Sequence, residues 1–147
     1  MKNKKIISVL IVVISVFAVI ANVMGIFSNE GPGEYTYESI RGEEILIHGK
    51  GVYKDMSAEV AVQGIAQDVV TLFFGIPALL ISFIYFRRNS FRAKIFLAGV
   101  LAYFLVTYLF YLAMGMYNNL FLVYVILLAS AFYAFLILSF SFNLEEI

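Results

Sequence analysis

One acidic residue, Asp68, lies inside a long apolar stretch and has the clearest potential for chemistry in this chain. It shares a helical face with Gly64, Thr71 and Gly75, at steps of four, three and four residues. An ionisable side chain within a membrane helix is a functional candidate, because it can bind a proton or cation or orient a polar headgroup. The structural alternative, which we favour, is a carboxylate at headgroup depth that is hydrated or hydrogen-bonded to a tyrosine or to an extramembrane hairpin.

Two amides and two tyrosines extend this candidate site. Gln63 and Gln67 are one helical turn apart and lie beside the Asp68 face. Such amides either line a polar opening or hydrogen-bond to a neighbouring helix, and we favour the hydrogen bond. In an enzyme, Tyr108 or Tyr111 would complete an acid–base set with Asp68.

Several kinds of chemistry are excluded or disfavoured by composition. The chain has no cysteine, so disulfides, thiolate metal sites and thiol catalysis are excluded. His48 is the only histidine, which argues against a zinc site. Lys50 is followed by glycine instead of serine or threonine, so this segment is not a P-loop. We predict no metal and no resident cofactor. If the protein were an enzyme, it would need to bind a cofactor.

The elements that must position these residues are membrane helices. The chain is 63% hydrophobic, whereas a soluble domain is about 45–50% apolar. We predict a single integral membrane domain over residues 1–147, an all-α bundle of four transmembrane helices with a small extracytoplasmic β-hairpin cap. The predicted spans are 6–27, 65–86, 95–114 and 120–142, and a β-rich outer loop covers 28–56.

The first two helices carry further information. The first apolar run has 22 residues, which is longer than the signal-peptide core of about 7–15 residues. We therefore favour an uncleaved signal anchor over a cleaved signal peptide. The second helix is predicted from Ser57 to Phe86, with Asp55 or Ser57 as its cap. It is longer than a membrane requires, so its first turns are predicted to stand outside.

Small residues predict where the helices approach one another. Gly64, Gly75 and Gly99 are predicted packing positions, because small residues let membrane helices pack closely. Pro77 has no N–H to bond to the carbonyl of Phe73, which predicts a kink between these two residues.

The charges are sorted along the chain and predict its orientation. Residues 2–5 contain three basic residues and residues 87–94 contain four, while residues 28–59 carry seven acids against three bases. Positive loops stay in the cytoplasm. We therefore predict a multi-pass protein of the cell membrane with both termini cytoplasmic.

The depth of Asp68 follows from the same orientation. Counting back about 20 residues from Phe86 places the outer boundary near Asp68. Tyrosines predicted for an aromatic belt at the two interfaces are Tyr111, Tyr117 and Tyr124 outside and Tyr85 inside.

The outer loop is predicted to contain a β-hairpin. Residues 34–40 and 43–48 have strand chemistry, and the segment between them can turn. A lone hairpin is marginally stable in water, so we expect it to lean on the helix ends or on another subunit. The residues predicted for the leaning face are Tyr35, Tyr37, Ile45 and Ile47.

Several strings resemble a group of uncharacterised small prokaryotic multi-pass membrane proteins. They are GKGVY at 49–53, AQDVVTL at 66–72, GIP at 75–77, RRNSFR at 87–92 and YNNLFLVY at 117–124. The resemblance implies a four-helix membrane fold and no particular activity. The layout is also similar to that of claudin-like proteins, without the tryptophan and cysteine pair of the claudin loop.

The leading functional hypothesis is a non-enzymatic binding or accessory protein. Its outer surface would comprise the hairpin, Gln63, Gln67, Asp68 and the 115–119 loop, and would meet a partner protein or a lipid. One alternative is a small transporter or channel protomer that uses Asp68 as a cation or proton site. Another is an intramembrane enzyme acting on a lipid or quinone. The expected partners are the bilayer, a second copy or another membrane protein, and not nucleic acid.

Overall fold

The computed structural model describes residues 3–113 and 120–142, which form helices and one hairpin. In chain order the elements are α1 Lys4–Phe27, β1 Tyr35–Glu38, β2 Glu44–Ile47, α2 Ala58–Val70, α3 Ile76–Arg87, α4 Phe91–Ala113 and α5 Phe121–Phe140. A π-helical turn, Thr71–Gly75, joins α2 and α3 into one helix of 30 residues. Within the described residues, four helices are long and apolar enough to cross a membrane. The predicted four long helices and small two-stranded sheet are confirmed, whereas their placement in a membrane stays a prediction.

The helix ends agree closely with the predicted ones. The first and third helices begin a few residues earlier than predicted, at Lys4 and Phe91. Ser57, one of the two predicted caps, accepts a hydrogen bond from the Val60 backbone N–H at 3.4 Å. The predicted end of the third span at residue 114, the 115–119 loop and the tail after residue 142 lie outside the described residues.

The four long helices pack side by side as a bundle. α1 contacts α5 and the α2–α3 helix, while α4 contacts α5 and α3. Each helix buries one stripe of apolar side chains and leaves the rest outward. The largest core side chains include Ile11, Phe104, Tyr108, Tyr124 and Leu127. The bundle is therefore apolar both inside and on much of its outer surface.

One end of the bundle gathers the basic residues near the helix ends. Lys4 Nζ donates to the Arg87 carbonyl at 2.9 Å and to Asn89 Oδ1 at 2.7 Å. Lys94 Nζ donates to the Ser141 carbonyl at 2.9 Å. These contacts bring together the start of α1, the α3–α4 turn and the end of α5. We call this the basic end, and the opposite end, which carries the hairpin, the cap end.

In the part of the chain that the structure describes, the hairpin contacts the bundle at its base. Ile47 is 9% exposed and pairs with Ser57 at the start of α2. Tyr35 and Tyr37 are substantially exposed, so of the two predicted supports for this face, the helix ends do not cover them, and contact with another subunit stays a prediction. Ile40, in the connection between the strands, is fully exposed. Among residues 3–113 and 120–142, the tertiary packing that supports the ribbon is therefore at its Ile47 end.

The π-helical turn ends two residues before Pro77, within the segment where the kink was predicted. Pro77 cannot donate to the Phe73 carbonyl, and its ring crowds that carbonyl. Instead, the helical turn contains one additional residue, and the Ile76 N–H donates to the Thr71 carbonyl five residues earlier. On the basic side of this turn α3 packs closely on α4, whereas α2 stands further from α4.

Candidate functional site

Asp68 lies inside the bundle and both of its carboxylate oxygens are engaged. Its side chain is 1% exposed. The Tyr53 hydroxyl donates to Oδ2, and the Tyr111 hydroxyl donates to Oδ1 at 2.8 Å. The Tyr111 hydroxyl also lies 3.1 Å from the Gly64 carbonyl. Of the predicted possibilities, the geometry corresponds to a carboxylate bonded to tyrosines.

The partner Tyr53 comes from the segment that returns from the hairpin to α2. It ends a short 3₁₀ turn, Gly51–Tyr53, and its side chain is buried. Burial raises the pKa of the Tyr53 phenol, and the neighbouring Asp68 carboxylate raises it further. Tyr53 therefore keeps its proton at neutral pH and acts as the donor to Asp68.

Gly25 of α1 makes room for this pair. A Cβ at Gly25 would overlap Asp68 Oδ2 and would lie 2.9 Å from Asp68 Cγ and 3.2 Å from the Tyr53 hydroxyl. We name Gly25, Tyr53, Asp68 and Tyr111 the Asp68 cluster. It joins α1, α2, α4 and the end of the cap segment at one point.

Two further polar side chains lie one helical turn away from this cluster. Asn22 precedes Gly25 on α1, Tyr108 precedes Tyr111 on α4, and both Asn22 and Tyr108 are 1% exposed. Asn22 lies beside the Tyr108 hydroxyl. Among the described residues, however, the Asn22 amide and that hydroxyl make no hydrogen bond of ordinary geometry. Sequence reasoning missed Asn22, although a lone amide within the first apolar run was an available signal.

Tyrosine rings fill the core around the cluster. The ring centroids of Tyr108, Tyr111 and Tyr124 lie 5.2–6.0 Å apart. The prediction that Tyr111 and Tyr124 belong to an interfacial belt is wrong, because both are buried between helices. Tyr85 is exposed near the basic end, beneath Arg88, and Tyr117 lies outside the described residues.

A groove of about 600 Å³ runs between α2 and α4 on the cap side of the π turn. Its lining residues are Gln63, Gly64, Gln67, Gly99, Ala102, Tyr103, Val106, Thr107, Phe110 and Tyr111. The groove exists because α2 diverges from α4 beyond the turn, while α3 stays close to it. We call it the α2–α4 groove.

Amide and hydroxyl groups line one side of this groove. Gln67 Nε2 donates to the Tyr103 hydroxyl at 2.8 Å and lies 3.4 Å from Thr107 Oγ1. The Tyr103 hydroxyl lies 2.9 Å from Thr71 Oγ1. Gln67 thus makes the interhelical hydrogen bond favoured for the two amides, whereas Gln63 is exposed at the cap end of the groove, which we call the groove mouth.

The glycines proposed for packing occupy different environments. A Cβ at Gly75 would lie 3.1 Å from Tyr103 Cε1, so α4 packs tightly there. A Cβ at Gly99 would meet no atom within 4 Å. Gly99 is therefore an open part of the groove and not a close helix contact. Pro77, after the π turn, is exposed.

Tyr111 lies between the α2–α4 groove and the Asp68 cluster. It lines the groove, while its hydroxyl bonds to Asp68. Asp68 itself does not line the groove. The outer surface predicted from the sequence is therefore divided into a groove with Gln63 and Gln67 and an internal cluster with Asp68.

Within residues 3–113 and 120–142, no three His, Cys, Asp or Glu side chains are grouped to hold a metal ion. Comparisons of the chain with protein-family models, curated proteins and solved structures found no match in any of the three.

Proposed function

We propose that this chain is a multi-pass membrane protein that binds a lipid-like molecule in the α2–α4 groove. The outward surfaces of the helices support the membrane assignment. Phe73, Phe74 and Leu122, for example, are each more than half exposed. Contiguous apolar surface of this kind is a liability in water, and it suits contact with acyl chains. The sorted charges support an orientation with the basic end in the cytoplasm.

The orientation is testable because the chain has no cysteine. Ile40→Cys places a thiol between the hairpin strands, and Arg92→Cys places one at the basic end. We expect a membrane-impermeant maleimide to label the Ile40→Cys variant in intact cells. It should label the Arg92→Cys variant only after permeabilisation, and the cysteine-free parent should stay unlabelled. The reverse pattern would contradict the proposed orientation.

The size of the groove is compatible with a small molecule. Along α4 the groove extends from Gly99 to Tyr111, a rise of roughly 18 Å. A hydrocarbon chain or a small ring fits such a space. The volume also lies within the range of about 300–1,000 Å³ that is usual for small-molecule sites.

The observation that carries the proposal is the combination of apolar walls with a few placed polar groups. Val106 and Phe110 supply apolar surface, while Gln67, Tyr103 and Thr107 supply amide and hydroxyl groups. Binding sites for small molecules have this composition, because apolar contact gives affinity and the polar groups fix orientation. Asp68 supports transport or catalysis less well, since it is 1% exposed and does not line the groove.

Filling the groove tests the proposal. Gly99→Trp places an indole in open space, and Ala129→Trp places the same side chain on an exposed face of α5. We expect Gly99→Trp to reduce lipid that co-purifies with the protein by about tenfold, equivalent to about 1.4 kcal/mol. Native mass spectrometry of the detergent-solubilised protein measures the bound lipid.

Two further measurements test this interpretation: lipid retention by the control variant and the oligomeric state of Gly99→Trp. Ala129→Trp should retain lipid at the parental level. Equal retention by both variants would contradict lipid binding in the groove. Loss of a dimer in Gly99→Trp without loss of lipid would identify the groove as a protein interface and would also contradict the proposal.

A further inference from the structure

Three side chains on α2 form a polar stripe that leads to the groove. Glu59, Gln63 and Gln67 are four residues apart, so they lie on one helical face. Gln63 and Gln67 line the groove, and Glu59 is exposed one turn beyond them towards the cap end. The charged side chain that continues this stripe is therefore an acid.

The groove itself offers no positive charge to a ligand. None of the ten side chains that line it is charged at neutral pH. Residues 114–119, which follow α4, contain no charged residue in the sequence. The segment 28–59, which forms the cap and the start of α2, carries seven acids and three bases. A ligand headgroup at the groove mouth is therefore close to Glu59 and on the acidic side of the molecule.

We infer that the groove selects an uncharged glycerolipid, such as a diacylglycerol, over an anionic phospholipid. This inference rests on the proposed function and names its ligand class. Amide and hydroxyl side chains both donate and accept hydrogen bonds, which suits a ligand with hydroxyl and ester groups. A phosphate monoanion would lose hydration there without gaining a cationic partner, and such burial is costly. Glu59 lies one helical turn beyond Gln63, a rise of about 6 Å. This is less than the screening length of about 8 Å at physiological salt, so Glu59 adds repulsion at the groove mouth.

The experiment compares lipids that differ only in the headgroup. The full-length protein in detergent is incubated with diacylglycerol or phosphatidylglycerol of identical acyl chains, and native mass spectrometry measures the two occupancies. We expect diacylglycerol to exceed phosphatidylglycerol by about tenfold at equal concentration, equivalent to about 1.4 kcal/mol. Gly99→Trp should lower diacylglycerol occupancy, whereas Ala129→Trp should not.

Charge reversal at the groove mouth provides a second readout. Glu59→Lys should raise phosphatidylglycerol occupancy several-fold, because it replaces a repulsive charge with an attractive one. Glu44→Lys, on β2 of the hairpin, makes the same change in net charge away from the groove and should leave the preference unchanged. If Glu59→Lys does not yield folded protein, Gln63→Lys places a positive charge one turn closer to the groove and should have the same effect.

The outcomes separate this inference from the proposed function. Equal binding of the two lipids, with both displaced by Gly99→Trp, would overturn the headgroup selectivity and leave lipid binding supported. If Gly99→Trp displaces neither lipid, the proposed function fails, and the inference fails with it. An equal effect of Glu44→Lys and Glu59→Lys would show that net charge, and not the groove mouth, sets the preference, and would overturn the inference.

Discussion

Replacing Gly25 with alanine is expected to lower the free energy of unfolding by about 2–4 kcal/mol, through overpacking and a disturbed buried hydrogen bond. The new methyl group would overlap Asp68 Oδ2 and would lie 3.2 Å from the Tyr53 hydroxyl. Neither neighbour can retreat easily, because both are buried and bonded to each other. Loss of helical circular dichroism on titration with a denaturing detergent measures the change.

Gly99→Ala is the matched control for this substitution. It adds the same methyl group to another long helix, where nothing lies within 4 Å. Alanine also has a higher helix propensity than glycine, by about 1 kcal/mol. We therefore expect Gly99→Ala to be neutral or slightly stabilising. Equal destabilisation by the two variants would contradict the close contact between α1 and Asp68.

Local sequence signals were sufficient to predict the elements of the fold. Long apolar runs predicted the helices, Ser57 was one of two predicted caps, and Pro77 marked the irregular turn. The hairpin strands were predicted from their residue types and the turn between them. These features depend on neighbouring residues, so the sequence carries them directly.

The composition of the Asp68 cluster was harder to predict from the sequence, because its members are far apart in the chain. Asp68 was identified as a lone acid in an apolar helix. Its partner Tyr53 is in the cap segment, and Gly25 is on α1. Their contact depends on how the cap segment returns to the bundle, which no local pattern specifies. Tyr111 was predicted both as a partner of Asp68 and as an interfacial residue, and its burial between helices is inconsistent with the second role.

The groove could not be predicted from the sequence, for a related reason. Gln67 was recognised as an amide beside the Asp68 face of one helix, and Gly99 was recognised separately as a packing position on another. Whether such faces close against each other or leave a space depends on the direction of α2 beyond the π turn. A small residue such as Gly99 is compatible with both outcomes, so the sequence pattern alone could not distinguish a packing contact from an open groove.

Removal of the Asp68 carboxylate is expected to have an effect as large as that of Gly25→Ala. Asp68→Ala leaves the buried Tyr53 hydroxyl without its acceptor and removes one of the two acceptors of the Tyr111 hydroxyl, which keeps the Gly64 carbonyl. The unsatisfied phenol and the lost hydrogen bond together cost about 2–4 kcal/mol. Tyr53→Phe removes one donor and is expected to cost about 1.5–3 kcal/mol, the usual range for hydrogen bonds to charged groups. Both variants are measured by the same detergent titration.

The double variant tests whether Asp68 and Tyr53 act on each other. If the hydrogen bond is direct, Tyr53→Phe should cost less in the Asp68→Ala background than in the parent, with a coupling of about 0.5–3 kcal/mol. Tyr37→Phe, at an exposed position on β1, is the matched control and should show no coupling with Asp68→Ala. Additive effects of Tyr53→Phe and Asp68→Ala would contradict a direct bond. Coupling at Tyr53 alone would indicate that Asp68 fastens the cap segment to the bundle, because Tyr53 is the cluster residue which that segment contributes.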